Sequence, residues 1–159
     1  MPSENSTDAR LAHVDLMNRY AHAMDTRDWS LFASLFAEDC MFTAQHGLAK
    51  NEPDTEIMTL TGRDTMVAQL AAIIESLSAT HHMLSNYVVD IAADGATAKA
   101  SCYFRAYHAG AGPRSHLFEE SLGRFDLQTL RVGAEWKIRR MEEYIMIMLG
   151  TSDAFGVGP

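Results

Sequence analysis

Apolar residues recur every three or four positions in the first half of the chain and alternate with polar ones in the second. From Asp8, the residues Leu11, Val14, Met17, Tyr20 and Met24 form one stripe, which predicts an amphipathic helix after a polar, frayed start at residues 1–7. Thr26-Arg-Asp28 interrupts the stripe. Asp28 suits the N-cap of a short second helix that carries Trp29, Phe32, Leu35 and Phe36 on one side and stops near Glu38-Asp39. Cys40 to Ala44 reads as a short strand. Residues 46–59, with Gly47, Pro53 and several charges, read as a long loop placed to cover a pocket. Thr61-Gly-Arg-Asp64 opens a third helix whose buried face is Met66, Val67, Leu70, Ile73, Ile74 and Leu77.

After Ala79 the period falls to two. His81 to Ala92, Thr97 to His108, 116–131 and 135–148 are predicted strands, joined at Asp94-Gly95, Ala109–Pro113 and Val132–Ala134. The tail from Gly150 to Pro159 is expected to be irregular. In the second of these strands Ala98, Ala100, Cys102, Phe104 and Ala106 share one face, which must look at the helices. Lys99, Ser101, Tyr103, Arg105 and Tyr107 share the other, which looks at water or a partner subunit. Helices followed by a run of strands give an α+β class: one domain over 1–159, with an ordered core of about 8–148. A curved antiparallel or mixed β-sheet wrapped round about three N-terminal helices forms a cone with an internal pocket at its open end.

Composition narrows the function. At 159 residues the chain fits one domain with a real core. Its 13 basic and 21 acidic residues leave a net charge of −8, which opposes a phosphate backbone, so nucleic acid is not an expected partner. Cys40 and Cys102 form neither a CxxC pair nor a disulfide framework. With no basic–apolar leader at the start, the expected compartment is the cytoplasm. No apolar run approaches the ~20 residues of a membrane helix.

Two polar positions stand out. Asp25 ends an apolar helix, so it is either a helix cap or an acid aimed into a cavity. His82 shares strand parity with Leu84 and points inward, while His81 points the other way, so the two cannot chelate one metal. His13 and His22 lack chelate spacing and no HExxH is present, so neither a metal nor another cofactor is expected. No nucleophile elbow or phosphate loop appears. Cys102 reads as a core thiol, and the Glu119-Glu120 and Glu142-Glu143 pairs as split between faces and mostly solvated.

Arg19-Tyr20-Ala-His-Ala-Met-Asp25-Thr-Arg-Asp-Trp29, Leu35-Phe-Ala-Glu-Asp39, Thr61-Gly-Arg, His82-Met-Leu-Ser-Asn86 and Glu135-Trp-Lys-Ile138 together resemble the nuclear transport factor two-like superfamily, and within it the SnoaL-like group. The resemblance covers roughly 8–148 and implies a cystatin-like cone. The branch containing scytalone dehydratase and hexachlorocyclohexane dehydrochlorinase implies an Asp–His pair, here Asp25 and His82, with the histidine as base. The dehydratase's second histidine and its tyrosines find no counterpart by sequence. Tyr20 is expected to donate a hydrogen bond in catalysis, and Phe42, Trp29, Cys102 and Phe104 to bind substrate. The implied activity is a lyase or isomerase without cofactor, of dehydratase, dehydrohalogenase or ketone-isomerase type, acting on a small apolar molecule such as a cyclic one. The alternative is a non-catalytic binding or accessory subunit resembling the β-subunit of a ring-hydroxylating dioxygenase. The outward Tyr103, Arg105 and Tyr107 suggest a homo-oligomer, a dimer or else a trimer.

Overall fold

A computed structural model describes residues 7–47 and 55–156. In chain order the elements are α1 (Thr7–Thr26), α2 (Trp29–Ser34), β1 (Phe36–His46), β2 (Thr55–Thr61), α3 (Arg63–Glu75), β3 (Ala79–Ile91), β4 (Thr97–Ala109), β5 (Phe118–Val132) and β6 (Glu135–Gly150). The strands form one six-stranded sheet in the order β2-β1-β6-β5-β4-β3. Neighbours run antiparallel except β1 and β6, which run parallel. Three helices pack against this curved, unclosed sheet, so the expected α+β cone is the observed fold.

Alternation is cleanest in β4, where Ala98, Ala100, Cys102, Phe104, Ala106 and His108 are buried and the residues between them are not. The α1 stripe starts later than the sequence pattern suggests. Leu11 is 60% exposed, and the buried face is His13, Leu16, Met17, Tyr20, Ala21, Ala23 and Met24. His13 enters the core because both ring nitrogens find oxygens, Ala9 O at 2.7 Å and Thr129 Oγ1 at 2.8 Å. Inside the cone, the Tyr20 ring lies 5.4 Å from Phe32 and 5.6 Å from Phe125, and Phe104 stacks on Phe125 at 4.4 Å.

Interruptions in the ladder bend the sheet. Register shifts between Ser85 and Val88, where Asn86 takes a left-handed φ of 56°, and again between Leu122 and Gly123. At Gly123 a Cβ would lie 1.9 Å from the Tyr144 carbonyl oxygen and 2.8 Å from the Phe104 ring, so the backbones can close up only without a side chain.

Several expectations are corrected. The second helix ends at Ser34, and Phe36 to Asp39 open β1, because Phe36 pairs with Ile138 of β6 and not with a further helical turn. Part of the expected 46–59 loop is strand: β1 runs to His46 and β2 pairs back along it from Thr55, while residues 48–54 lie outside the described residues. The tail holds a 3-10 turn, Ser152–Phe155, which buries Ala154 and sets Phe155 against His108. The frayed start also falls mostly outside the described residues, and α1 begins at Thr7. Gly123→Ala is expected to lower unfolding free energy by about 1–3 kcal/mol, the range for overpacking, read as a fall in the urea midpoint with an unchanged slope.

Candidate active site

Asp25 lies in the last turn of α1, and the helix is closed without its carboxylate. Arg27 adopts a left-handed φ of 57°. Its N–H donates to the Met24 carbonyl at 3.3 Å, and the Asp28 N–H donates to the Ala23 carbonyl at 2.9 Å. These are the two bonds of a Schellman motif. The Arg27 side chain anchors the corner by donating to the Leu77 carbonyl at 3.1 Å. Asp28 then N-caps α2, accepting from the Leu31 N–H at 2.9 Å. Backbone and neighbouring side chains thus perform every capping task at this corner, and the Asp25 carboxylate is free to face the sheet.

It is met there by three donors from β3. The His82 ring Nδ1 lies 2.7 Å from Oδ1, the Thr80 hydroxyl donates to the same oxygen at 2.9 Å, and the His82 backbone N–H donates to Oδ2 at 2.9 Å. Burial alone would raise the Asp25 carboxyl. The side-chain and backbone bonds from His82, its charge and the Thr80 hydroxyl outweigh burial and bring it below the usual carboxylate range. An ionised carboxylate can only accept, so Nδ1 must carry a proton, and in the neutral ring Nε2 then holds the lone pair. The His82 side chain is 5% exposed and that of Asp25 22% exposed.

A second histidine–carboxylate pair stands beside the first. The His108 ring meets the His82 ring edge-on with centroids 5.5 Å apart, and its Nδ1 is 2.5 Å from Glu119 Oε2. The Ser121 hydroxyl donates to the other Glu119 oxygen. Glu119 and Glu120 are both buried, which corrects the expectation that these glutamates are solvated: Glu119 faces His108, and Glu120 is covered by its pair with Arg105 on the other face. Glu142 and Glu143 do split. Glu142 pairs with Arg140, whereas half-buried Glu143, opposite Phe125 and two residues from fully buried Met141, faces the concave side. Burial, and then the negative charge of Glu119, push the Glu143 carboxyl up to about 7. Burial chiefly, followed by the charges of Glu143, Cys102 and Asp25, raises Tyr20 well above its ordinary value, so its hydroxyl is a donor at every working pH.

The structure joins Asp25 to His82, leaves Tyr20 within electrostatic reach of Asp25, and adds nearby His108, Glu119, Ser121 and Glu143, none of which the sequence reading singled out for the site. Strand parity could have found His108, because it continues the inward series of β4. Phe42, Cys102 and Phe104 are buried in the core between the helices and the sheet. Burial pushes the Cys102 thiol up to about 12, with the Asp126 charge adding to it. Trp29 packs on Phe32 and turns its Nε1–H to Glu75 of α3 at 2.9 Å. Leu84, Tyr87, Ile145 and Phe155 are partly buried and pack against this core. Two clefts, of about 210 Å³ around Arg19 and Trp136 and about 360 Å³ around Gly62 and Arg63, include no residue of the dyad. Among the described residues no three His, Cys, Asp or Glu side chains are grouped to hold a metal ion, and no helix is long and apolar enough to cross a membrane.

The family described as a SnoaL-like domain matches residues 5–142. Among curated proteins none matches the sequence. A crystal structure from Novosphingobium aromaticivorans, provisionally named an aromatic ring hydroxylase, is 26% identical over 98% of this chain and 99% of its own, with a TM-score of 0.75. A second from the same organism, provisionally named a scytalone dehydratase, is 24% identical over 88% of this chain and 85% of its own, with a TM-score of 0.72. A hexachlorocyclohexane dehydrochlorinase, LinA type 2, shares the fold at 14% identity over 91% and 90% of the two chains, with a TM-score of 0.73.

The Glu143 carboxyl holds its proton more tightly folded than unfolded. Its contribution to stability is therefore complete below the unfolded value near 4.5 and is lost as pH rises to about 7. At 1.36 kcal/mol per unit this loss is about 3 kcal/mol. Glu143→Gln is expected to abolish it, so the variant's stability relative to wild type should climb over that window and then level off. A difference that does not vary with pH in urea titrations would contradict the assignment.

Proposed function

The chain belongs to the SnoaL-like domain family, and we propose that it is a cofactor-independent lyase or isomerase that takes a proton from carbon in a small apolar molecule, such as a cyclic one. The observation that carries this reading is the 2.7 Å contact of Asp25 with His82 Nδ1, which leaves Nε2 as a base inside the cone. Nε2 removes a proton next to a leaving group or a carbonyl. Asp25 holds the tautomer and stabilises the imidazolium as it forms. Tyr20 donates a hydrogen bond to the oxygen or leaving group, and Phe42, Cys102 and Phe104 provide apolar walls. Dehydration, dehydrohalogenation and ketone isomerisation all begin with this step. The shared fold of the dehydratase-named and dehydrochlorinase neighbours supports the reaction class at family level.

The shared fold of the β-subunit of a provisionally named aromatic-ring-hydroxylating dioxygenase from Novosphingobium aromaticivorans favours a second reading. In it the chain is a non-catalytic, small-molecule-binding or accessory subunit like a ring-hydroxylating dioxygenase β-subunit, and the dyad is structural. Turnover decides between them. With a panel of cyclic ketones, hydroxyketones and halides, Asp25→Asn and His82→Ala are each expected to lower turnover by roughly 10²–10⁴-fold while far-UV and thermal signatures persist. Turnover untouched by either change would rule out the dyad as base.

The convex face of the sheet is also proposed as a homo-oligomer interface. Met83, Tyr103, Tyr107, Phe118, Ile147 and Leu149 expose between 38% and 53% of their surface there, around Arg105, an aromatic–aliphatic composition typical of interface cores. Light scattering is expected to give a dimer or trimer of the 17.6 kDa chain, and Tyr103→Asp with Ile147→Asp to dissociate it. A wild-type monomer at micromolar concentration would contradict this.

A further inference from the structure

Elimination needs a proton donor as well as a base whenever the departing group is a poor one, and the cone interior contains few candidates. The charge of Glu119 from β5 acts on Glu143, and Tyr20 from α1 is within electrostatic reach of Glu143, Asp25 and Cys102; His82 from β3 and His108 from β4 join this group through Asp25 and Glu119. His82 and His108 each set Nδ1 against a carboxylate, so in the neutral ring the proton sits on Nδ1 and Nε2 carries the lone pair. Asp25 and Glu119 act as acceptors. Tyr20 and Cys102 hold their protons too tightly to release them near neutrality. The Glu143 side chain is on the concave face of β6, with Phe125 as its β5 partner and Ala44 as its β1 partner. Among the described residues its carboxyl makes no hydrogen bond or ion pair, and the residue keeps accessible surface. With apolar partners on both neighbouring strands and the Glu119 charge acting on it, the neutral acid is the form that fits there.

We infer that Glu143 is the acid partner of His82, giving its proton to an oxygen leaving group, and that the substrate class is accordingly a β-hydroxy carbonyl compound or similar alcohol, not a halide. The inference rests on the proton-abstraction reading above and narrows it. The C–H bond breaks with its proton going to His82 Nε2, and its electron pair becomes the new C=C bond. The C–O bond breaks toward oxygen, which takes the Glu143 proton and leaves as water. The imidazolium and the Glu143 carboxylate then exchange a proton through solvent, which restores both groups. No electrons are gained or lost overall.

The test compares two probes that yield the same cyclohexenone, 3-hydroxycyclohexanone and 3-chlorocyclohexanone, followed by enone absorbance. Glu143→Gln is expected to depress loss of hydroxide about 10²-fold more than loss of chloride, whereas Asp25→Asn depresses both alike. Equal effects of Glu143→Gln on the two probes, or a wild type that expels chloride but not hydroxide, would overturn the role of Glu143 and leave the dyad standing. A wild type that turns over neither probe would sink both readings. Should the glutamine variant not fold, carboxyl infrared spectra of wild type against Glu119→Gln keep the question open to refutation. A neutral buried carboxyl at pH 6 that titrates at lower pH once Glu119 is neutralised supports the inference, and an ionised Glu143 at pH 6 overturns it.

Discussion

An ionised carboxylate is poorly placed at the carboxyl end of a helix, where the last carbonyls already concentrate negative charge. Asp25 occupies that position and is nonetheless held in its charged form. What makes this tolerable is the start of β3, which supplies a hydroxyl, an amide and an imidazole to two oxygens. The arrangement binds the end of α1 to the sheet and orients His82 in one act. It also depends on the corner after α1 being closed by backbone, since a carboxylate spent on capping could not turn toward the sheet.

Around this contact the interior is polar in a directed way. Two histidine–carboxylate pairs lie edge to edge, each using one ring nitrogen and leaving the other. Burial first, and then the charges of Asp25 and Glu119, raise the proton affinities of Tyr20 and Glu143. Ionised and protonated acids therefore coexist on the concave side of the sheet because environment, not residue type, separates their proton affinities. The bulges at Asn86 and Gly123 matter here, because sharper bending of the sheet brings side chains from distant rungs of β5 and β6 toward one space.

Much of this was legible from the sequence, and the exceptions share a cause. The period change at Ala79 told helices from strands, and the parity of β4 told inside from outside. Asp25 and His82 could be read because each sits at a recognisable place, a helix end and an inward strand position. His108 and Glu119 become partners only when the loop after β4 folds β5 back beside it. Glu143 could be assigned a side by alternation but not a direction, since nothing local says which glutamate of the pair turns inward. Phe36 continues a helical stripe, and its pairing with distant Ile138 overrides that pattern. β2 was hidden because an edge strand with polar residues on its open side resembles a loop.

The central claim is that Asp25 sets the His82 tautomer so that Nε2 is the free base. Nitrogen-15 NMR of histidine-labelled protein, with His82 assigned by its loss in His82→Gln, reads this directly. In the neutral ring the account predicts a protonated Nδ1 and an unprotonated Nε2, and Asp25→Asn should erode that preference. A neutral His82 carrying its proton on Nε2 in the unaltered protein would contradict the account, because the nitrogen meant to abstract a proton would already hold one.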